Sequence, residues 1–391
     1  MNFIKPVSGL IIGLTTITNL YAAEPTNQEL MGLIKQQQSQ IDTLTNKAKQ
    51  TDKKLNVTAE QIETNFNGHS NSSNGSTSIG GYGEMHYSNL GGKKKIDLHR
   101  FVLFFGHQFN PNTRLFSELE VEHSFVEGGK GGEVAVEQAY IEHDIFDSSA
   151  IQLGLFLMPV GIINETHEPT AFYGVDRNPV EHDILPATWR EGGALVAFSL
   201  QPGLSLDIAL TSGLNVATTG AKAFDLRGGR QKASNANANS LAYTSRIKYT
   251  AINGLELAAT LNYQTDITQG LQKIPAMLYE THAIYSERDF TIKALYARWD
   301  ISSDAAKIMG KDLQTGFYVE PSYKLSEQLG VFARYNQYDT SAGIDSGTEN
   351  RQTNVGFNYW LASGVVLKAD LEKQTGATNK KGFNLGVGYQ F

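Results

Sequence analysis

The chain has 391 residues, 40% of them hydrophobic, no cysteine and a formal charge of −7. Disulfides, thiol nucleophiles and cysteine metal sites are thereby excluded, and without a basic block a nucleic-acid partner is not expected. Glycine is abundant (38), and tyrosine (17) and phenylalanine (19) far outnumber tryptophan (3), a profile that suits a membrane barrel in which only alternate residues face lipid.

Lys5 precedes an apolar run from Val7 to Leu20, followed by Tyr21-Ala22-Ala23-Glu24. This is the order of a secretory signal, and residues 1–23 are assigned to one, with cleavage after Ala23. The run is short for a membrane anchor, and no other stretch reaches about 18 consecutive apolar residues. A heptad register follows. Ile34, Ile41, Ala48, Leu55 and Ile62 fall on a positions, and Leu30, Gln37, Leu44, Thr51 and Thr58 on d positions. This predicts a short α-helical coiled coil, a periplasmic stalk over 24–64. Its three polar d residues leave a solvated single helix or a spacer as the alternative. Residues 65–76, rich in Asn, Ser and Gly, read as a flexible linker.

From residue 77 the period becomes two. Phe383, Leu385, Val387, Tyr389 and Phe391 alternate with Asn384, Gly386, Gly388 and Gln390, and Leu255, Leu257, Ala259, Leu261 and Tyr263 alternate with Glu256, Thr260 and Asn262. Sixteen such segments can be drawn: 78–89, 95–108, 113–125, 133–145, 150–158, 191–201, 204–214, 240–250, 255–264, 276–286, 290–298, 312–324, 329–338, 352–361, 365–373 and 382–391. Short connections such as Asn110-Pro111-Asn112 and Gln201-Pro202-Gly203 alternate with long ones such as 159–190, 215–239, 299–311 and 339–351. Unequal rims of this kind predict an all-β fold, a 16-stranded antiparallel transmembrane β-barrel over 77–391 in a bacterial outer membrane. Tyr243, Tyr249, Tyr263, Tyr335, Tyr359 and Tyr389 lie near strand ends, where amphipathic rings meet lipid headgroups.

The third long loop, 159–190, is expected to fold inward and narrow the bore. Its candidate pore residues are Glu165, Glu168, Asp176, Arg177, Glu181, Asp183 and Arg190. By strand parity the lumen candidates are Arg100, Glu118, Glu120, Arg246, Lys248, Lys293, Glu320, Arg334 and Lys368. Both signs occur among them, so weak selectivity is expected.

The stretch Phe172-Tyr173-Gly174-Val175-Asp176-Arg177-Asn178-Pro179-Val180-Glu181-His182-Asp183-Ile184-Leu185-Pro186-Ala187-Thr188-Trp189-Arg190-Glu191-Gly192-Gly193-Ala194 resembles the corresponding segment of the phosphate-selective porin O/P family, as do Phe317 to Tyr323 and the terminal Tyr389-Gln390-Phe391. The resemblance implies a trimeric barrel with the third loop in the pore, and a terminal Phe391 read by the barrel assembly machinery. It implies passive diffusion of small hydrophilic solutes, with anions such as phosphate as a narrower expectation. The family's arginine ladder and lysine cluster are not clearly reproduced here. Alternatives are a sugar-type facilitating channel, for which Tyr82, Phe156 and Tyr318 are candidate stacking residues, and a tether between outer membrane and cell wall. His167, Glu168, His182 and Asp183 show no zinc spacing, and no nucleophile elbow or nucleotide fingerprint is present. No enzyme activity, metal or cofactor is expected.

Overall fold

A computed structural model describes residues 76–391, apart from 128–130, 147, 272 and 346. The expected signal segment, the stalk and all but the end of the linker lie outside the described residues.

The strands are β1 (Thr77–Leu90), β2 (Lys93–Asn110), β3 (Thr113–Glu122), β4 (Glu133–Phe146), β5 (Ser149–Leu157), β6 (Arg190–Gln201), β7 (Leu204–Ser212) and β8 (Leu241–Tyr249). They continue as β9 (Leu255–Gln264), β10 (Ala276–Glu287), β11 (Phe290–Ile301), β12 (Leu313–Lys324), β13 (Leu329–Asp339), β14 (Asn350–Ala362), β15 (Val365–Gly376) and β16 (Lys380–Gln390). Each pairs antiparallel with its sequence neighbour, and β1 pairs with β16, Gly83 opposite Tyr389 and Tyr87 opposite Leu385. The sixteen strands close into one barrel. A five-residue helix α1 (Asp304–Ile308), capped by the Ser303 side chain, sits in the connection after β11. Among the described residues no helix is long and apolar enough to cross a membrane.

The alternation read from sequence sorts inside from outside. On β9, Leu257, Leu261 and Tyr263 are exposed while Thr260, Asn262 and Gln264 are buried. On β15, Leu367 and Leu371 point out while Lys368, Asp370 and Glu372 point in. Besides four register shifts next to the tight turns, two bulges interrupt this pattern within the strands. Between β1 and β2 the register skips His99, and between β3 and β4 it skips Glu137. A bulge leaves one residue unpaired and re-aims its side chain, so Glu137 and Gln138 are both buried although they are consecutive.

One rim carries tight turns. At Gly203 (φ +75°) a Cβ would sit 2.5 Å from Ala251 Cα, so the turn between β6 and β7 requires glycine. The opposite rim carries the connections 123–132, 158–189, 213–240, 265–275, 302–312 and 340–349. The expected inequality fails at two places on that rim, 91–92 and 377–379, both beside the β1–β16 seam. Cover on the long-loop side is therefore uneven.

The interior is not uniformly polar, contrary to the simple reading of alternation. Phe156, Met158, Val160, Ile184, Leu185 and Trp189 pack against inward-facing Leu195, Leu278, Leu295, Trp299 and Tyr318, joined by Leu214, Phe224 and Leu226 from the 213–240 connection. This dry core occupies the β6–β13 side of the barrel. The outward face makes its own demand. In lipid vesicles Leu261→Arg, near the middle of β9, is expected to destabilise the barrel by about 2–4 kcal/mol in denaturant titrations. A loss under about 1 kcal/mol would place that face against water instead.

Candidate functional site

The segment between β5 and β6 is held by its own side chains. Asn164 closes its base. The Asn164 amide donates to Met158 O (2.7 Å) and Trp189 O (3.0 Å), and its oxygen accepts from Trp189 N (2.6 Å). A π-helical turn, Val180–Ile184, starts where Asn178 Oδ1 accepts from Glu181 N (2.9 Å). The Glu181 carboxylate is fully buried and accepts from Ile162 N (2.9 Å), Ile163 N (2.7 Å), the Tyr318 hydroxyl (2.7 Å) and the Asn178 amide (3.3 Å). Burial pushes this carboxyl up, against the pull of those donors. Glu181 therefore staples the segment and does not face a cavity, which corrects its reading as a pore residue.

Further bonds tie the segment to distant strands. Val175 N donates to Asp370 Oδ2 (2.9 Å), Asn358 Nδ2 to Phe172 O (3.0 Å), Thr170 Oγ1 to Gln390 Oε1 (2.7 Å) and Trp299 Nε1 to Ile184 O (2.9 Å). Arg334 donates to Tyr173 O (3.3 Å) and Asp176 O (3.2 Å), and Arg100 to His167 O (3.2 Å). The segment thus touches wall side chains on β2, β11, β13, β14, β15 and β16.

Most of the charged residues singled out from sequence sit in pairs. Arg100 pairs with Glu84 (2.6 Å), Arg190 with Glu137 (2.7 Å) and Arg334 with Glu320 (3.1 Å). Arg246 bridges Asp207 (2.7 Å) and Glu165. Asp176 contacts His86 (3.2 Å), and Asp183 contacts His182 (2.6 Å). Glu118 accepts from Tyr82 (3.2 Å) and Gln138 (2.7 Å), and Glu120 is buried nearby. Lys368 is buried with its ammonium 3.6 Å from the Phe172 ring centroid. Lys248 and Lys293 are half-buried, Lys293 lying opposite Glu320 in the register. Glu168 is half-buried, and Phe391 is exposed at the chain end, where it exchanges two 2.9 Å backbone bonds with Gly81.

Two cavities inside the ring bear on function. The upper, about 380 Å³, opens toward the long connections and is lined by both signs of charge. Of its seven carboxylates, Glu133, Glu137, Asp176, Asp183 and Glu372 have a basic partner, from Lys232, Arg190, His86, His182 and Lys380, while Glu120 and Glu122 have none at ion-pair distance among the described residues. Three of its guanidiniums lack a carboxylate at ion-pair distance among the described residues. Arg177 donates to Thr188 Oγ1 (2.6 Å), Arg230 to Pro186 O (2.8 Å) and Thr188 O (2.5 Å), and Arg227 to His182 O (3.0 Å) and Ala187 O. Burial, with Arg227 and Arg190 close by, pushes Arg230 down to about 9, so it stays charged at neutral pH. Arg227, Arg230 and Glu137 were not singled out from sequence. The two arginines lie in a connection without period, and Glu137 owes its aim to a bulge. The lower cavity, about 310 Å³, is lined by Phe104, Phe116, Glu118, Glu165, His167 and Glu168 among others. Tyr82, Phe156 and Tyr318 are buried against other side chains and offer no open stacking face, which corrects their reading as sugar platforms.

No family model matches the chain. An uncharacterised protein of Aquifex aeolicus is 34% identical over 348 residues, covering 76% of this chain and 75% of that protein. The anion-selective porin from Comamonas acidovorans superposes with a TM-score of 0.59 at 12% identity, over 81% of this chain and 100% of that one. The trimer form of OmpT, an outer membrane protein of Vibrio cholerae, gives 0.55 at 13% identity, over 81% and 100%.

The inner segment should loosen when its staple is removed. Glu181→Ala leaves two buried N–H groups and a phenol without an acceptor, at about 1–3 kcal/mol each. Trypsin cleavage after Arg177 is expected to quicken several-fold while the folded barrel keeps its fast mobility in unheated gels.

Proposed function

We propose, for a chain that belongs to the same family as the Aquifex aeolicus protein, a passive channel through the bacterial outer membrane for small hydrophilic solutes, with anions favoured at its mouth. The closed sixteen-strand ring with an apolar exterior supports the membrane setting. The fold it shares with the Comamonas porin supports a channel, and the fold it shares with OmpT supports the outer-membrane setting.

The observation that carries the anion preference is the group Arg177, Arg227 and Arg230. These guanidiniums bond only neutral oxygens, while five of the carboxylates around them are already matched by basic side chains. The three guanidiniums outnumber the two carboxylates of the cavity that lack a basic partner, Glu120 and Glu122, and a positive excess in a narrow mouth concentrates anions. Guanidinium forks match the spacing of phosphate and carboxylate oxygens. Phosphate, the solute implied by the resemblance of residues 172–194, thus belongs to the favoured class. The segment 159–190 acts as the size filter, with Arg177, Arg190, Asp176 and Asp183 on its cavity side. A homotrimer, export by residues 1–23, a periplasmic stalk over 24–64 and recognition of Phe391 during assembly complete the proposal.

Reversal potentials in planar bilayers under a KCl gradient test it. Wild type is expected to favour chloride. Arg227→Gln with Arg230→Gln is expected to move the potential toward the cation side, and Arg177→Ala with Arg190→Ala to move it the same way. A cation-selective wild type would sink the anion preference, and absence of conductance would sink the channel itself.

A further inference from the structure

Three buried groups meet where the two cavities adjoin. Glu137 lines the upper cavity, while Glu118 and His167 line the lower one. One ligand atom from each lies within 4.8 Å of the others. His167 Nε2 is 3.3 Å from Glu137 Oε2 and 3.7 Å from Glu118 Oε1. The other ring nitrogen, Nδ1, faces Asn164 O at 3.1 Å. A carbonyl oxygen only accepts, so Nδ1 carries a proton, and in the neutral ring the Nε2 lone pair then points at two carboxylates. Either a second proton on the ring, donated to the carboxylates, or a metal cation among the three groups satisfies that arrangement. We propose that His167, Glu118 and Glu137 form a site for a divalent first-row transition cation of the zinc class, which pins the inner segment to the wall at the partition between the cavities.

Four observations converge on it. The spacing is close, because ligands about 2.0–2.2 Å from a tetrahedral zinc lie roughly 3.3–3.6 Å from one another, against 3.3 and 3.7 Å from His167 to the two carboxylates. The donor set, one imidazole and two carboxylates, is a combination that such cations accept. The supporting shell is already built. Asn164 O orients the imidazole, Arg190 holds Glu137 Oε1 (2.7 Å), Tyr82 donates to Glu118 Oε1 (3.2 Å) and Gln138 to Glu118 Oε2 (2.7 Å). Partners of this kind fix ligand orientation in metal centres. The bulge in β4 turns Glu137 inward beside Gln138, a distortion that ladder pairing alone does not call for.

Charge points the same way. Glu84, Glu118, Glu120 and Glu137 are each no more than 3% exposed, and the guanidiniums of Arg100 and Arg190 answer two of them. Glu118 and Glu120 have no guanidinium at ion-pair distance among the described residues, and a buried carboxylate calls for some other partner. The remaining coordination position would lie on the side of the lower cavity, where Glu168 also lies. The ligands come from β3, β4 and the inner segment, so no linear spacing announces the site.

The test uses full-length protein, purified in detergent, stripped with chelator and titrated with Zn²⁺ against a chromophoric competitor. Wild type is expected to bind about one Zn²⁺ per chain at high affinity, with X-ray absorption showing one nitrogen and oxygen ligands at about 2.0–2.2 Å. His167→Gln and Glu118→Gln are expected to abolish high-affinity binding, and Tyr82→Phe to weaken it by roughly 10-fold. Unheated gel mobility verifies that each variant forms its barrel. Absence of stoichiometric binding to wild type, leaving a protonated latch only, would overturn the site, as would binding unaltered by both ligand variants. Because the readout is metal binding, a failed channel proposal leaves this result intact, and the converse holds.

Discussion

Closure of the sheet is the constraint from which the rest follows. A strand at an open edge carries unpaired N–H and C=O groups, and in hydrocarbon these have no other partner. Here β1 meets β16 along nine residue pairs, from Tyr82–Gln390 to Leu90–Gly382. The pairing continues to the last residue, where Phe391 and Gly81 exchange backbone bonds. Once the ring is shut, each strand has only an outward and an inward face, and the sequence must serve both at a period of two.

A ring of sixteen strands is too wide for its own side chains to fill, and another part of the chain enters the interior. The segment 158–189 does this asymmetrically. Toward β6–β13 it presents Ile184, Leu185 and Trp189 and seals that side as a dry core. Toward β1–β4 and β13–β16 it presents backbone carbonyls and charged side chains, and the remaining cavities lie there. The same few residues therefore anchor the segment and shape the passage. Glu181 serves the first purpose and Arg177 the second, although they lie four positions apart.

The strands were legible because alternation is local and needs no knowledge of the partner strand. All sixteen expected segments correspond to observed strands, with ends displaced by a few residues for identifiable reasons. β3 stops at Glu122, short of the expected 125, because His123 adopts φ +52° and turns the chain. β11 runs on to Ile301, past the expected 298, because Trp299 and Ile301 are apolar yet face inward onto the dry core. The functional interior was less legible. Parity placed Arg100, Glu118, Glu120, Arg246, Glu320, Arg334 and Lys368 on the buried face, where they are. It could not foresee that a guanidinium would be neutralised by a neighbour, as Arg334 is by Glu320. Nor could it reach Glu137, whose orientation depends on one extra residue in the ladder, or Arg227 and Arg230, which hang from an aperiodic connection.

The rim with the long connections drops to two and three residues at 91–92 and 377–379, on either flank of the seam. That notch gives the mouth a compass bearing. Under the proposed channel, a solute arriving over β1, β2, β15 or β16 crosses turns of two and three residues, whereas one arriving over β7 and β8 meets the 213–240 connection. Where several barrels stand together, the bearing of each notch decides whether their mouths drain the surrounding medium separately or share a common well.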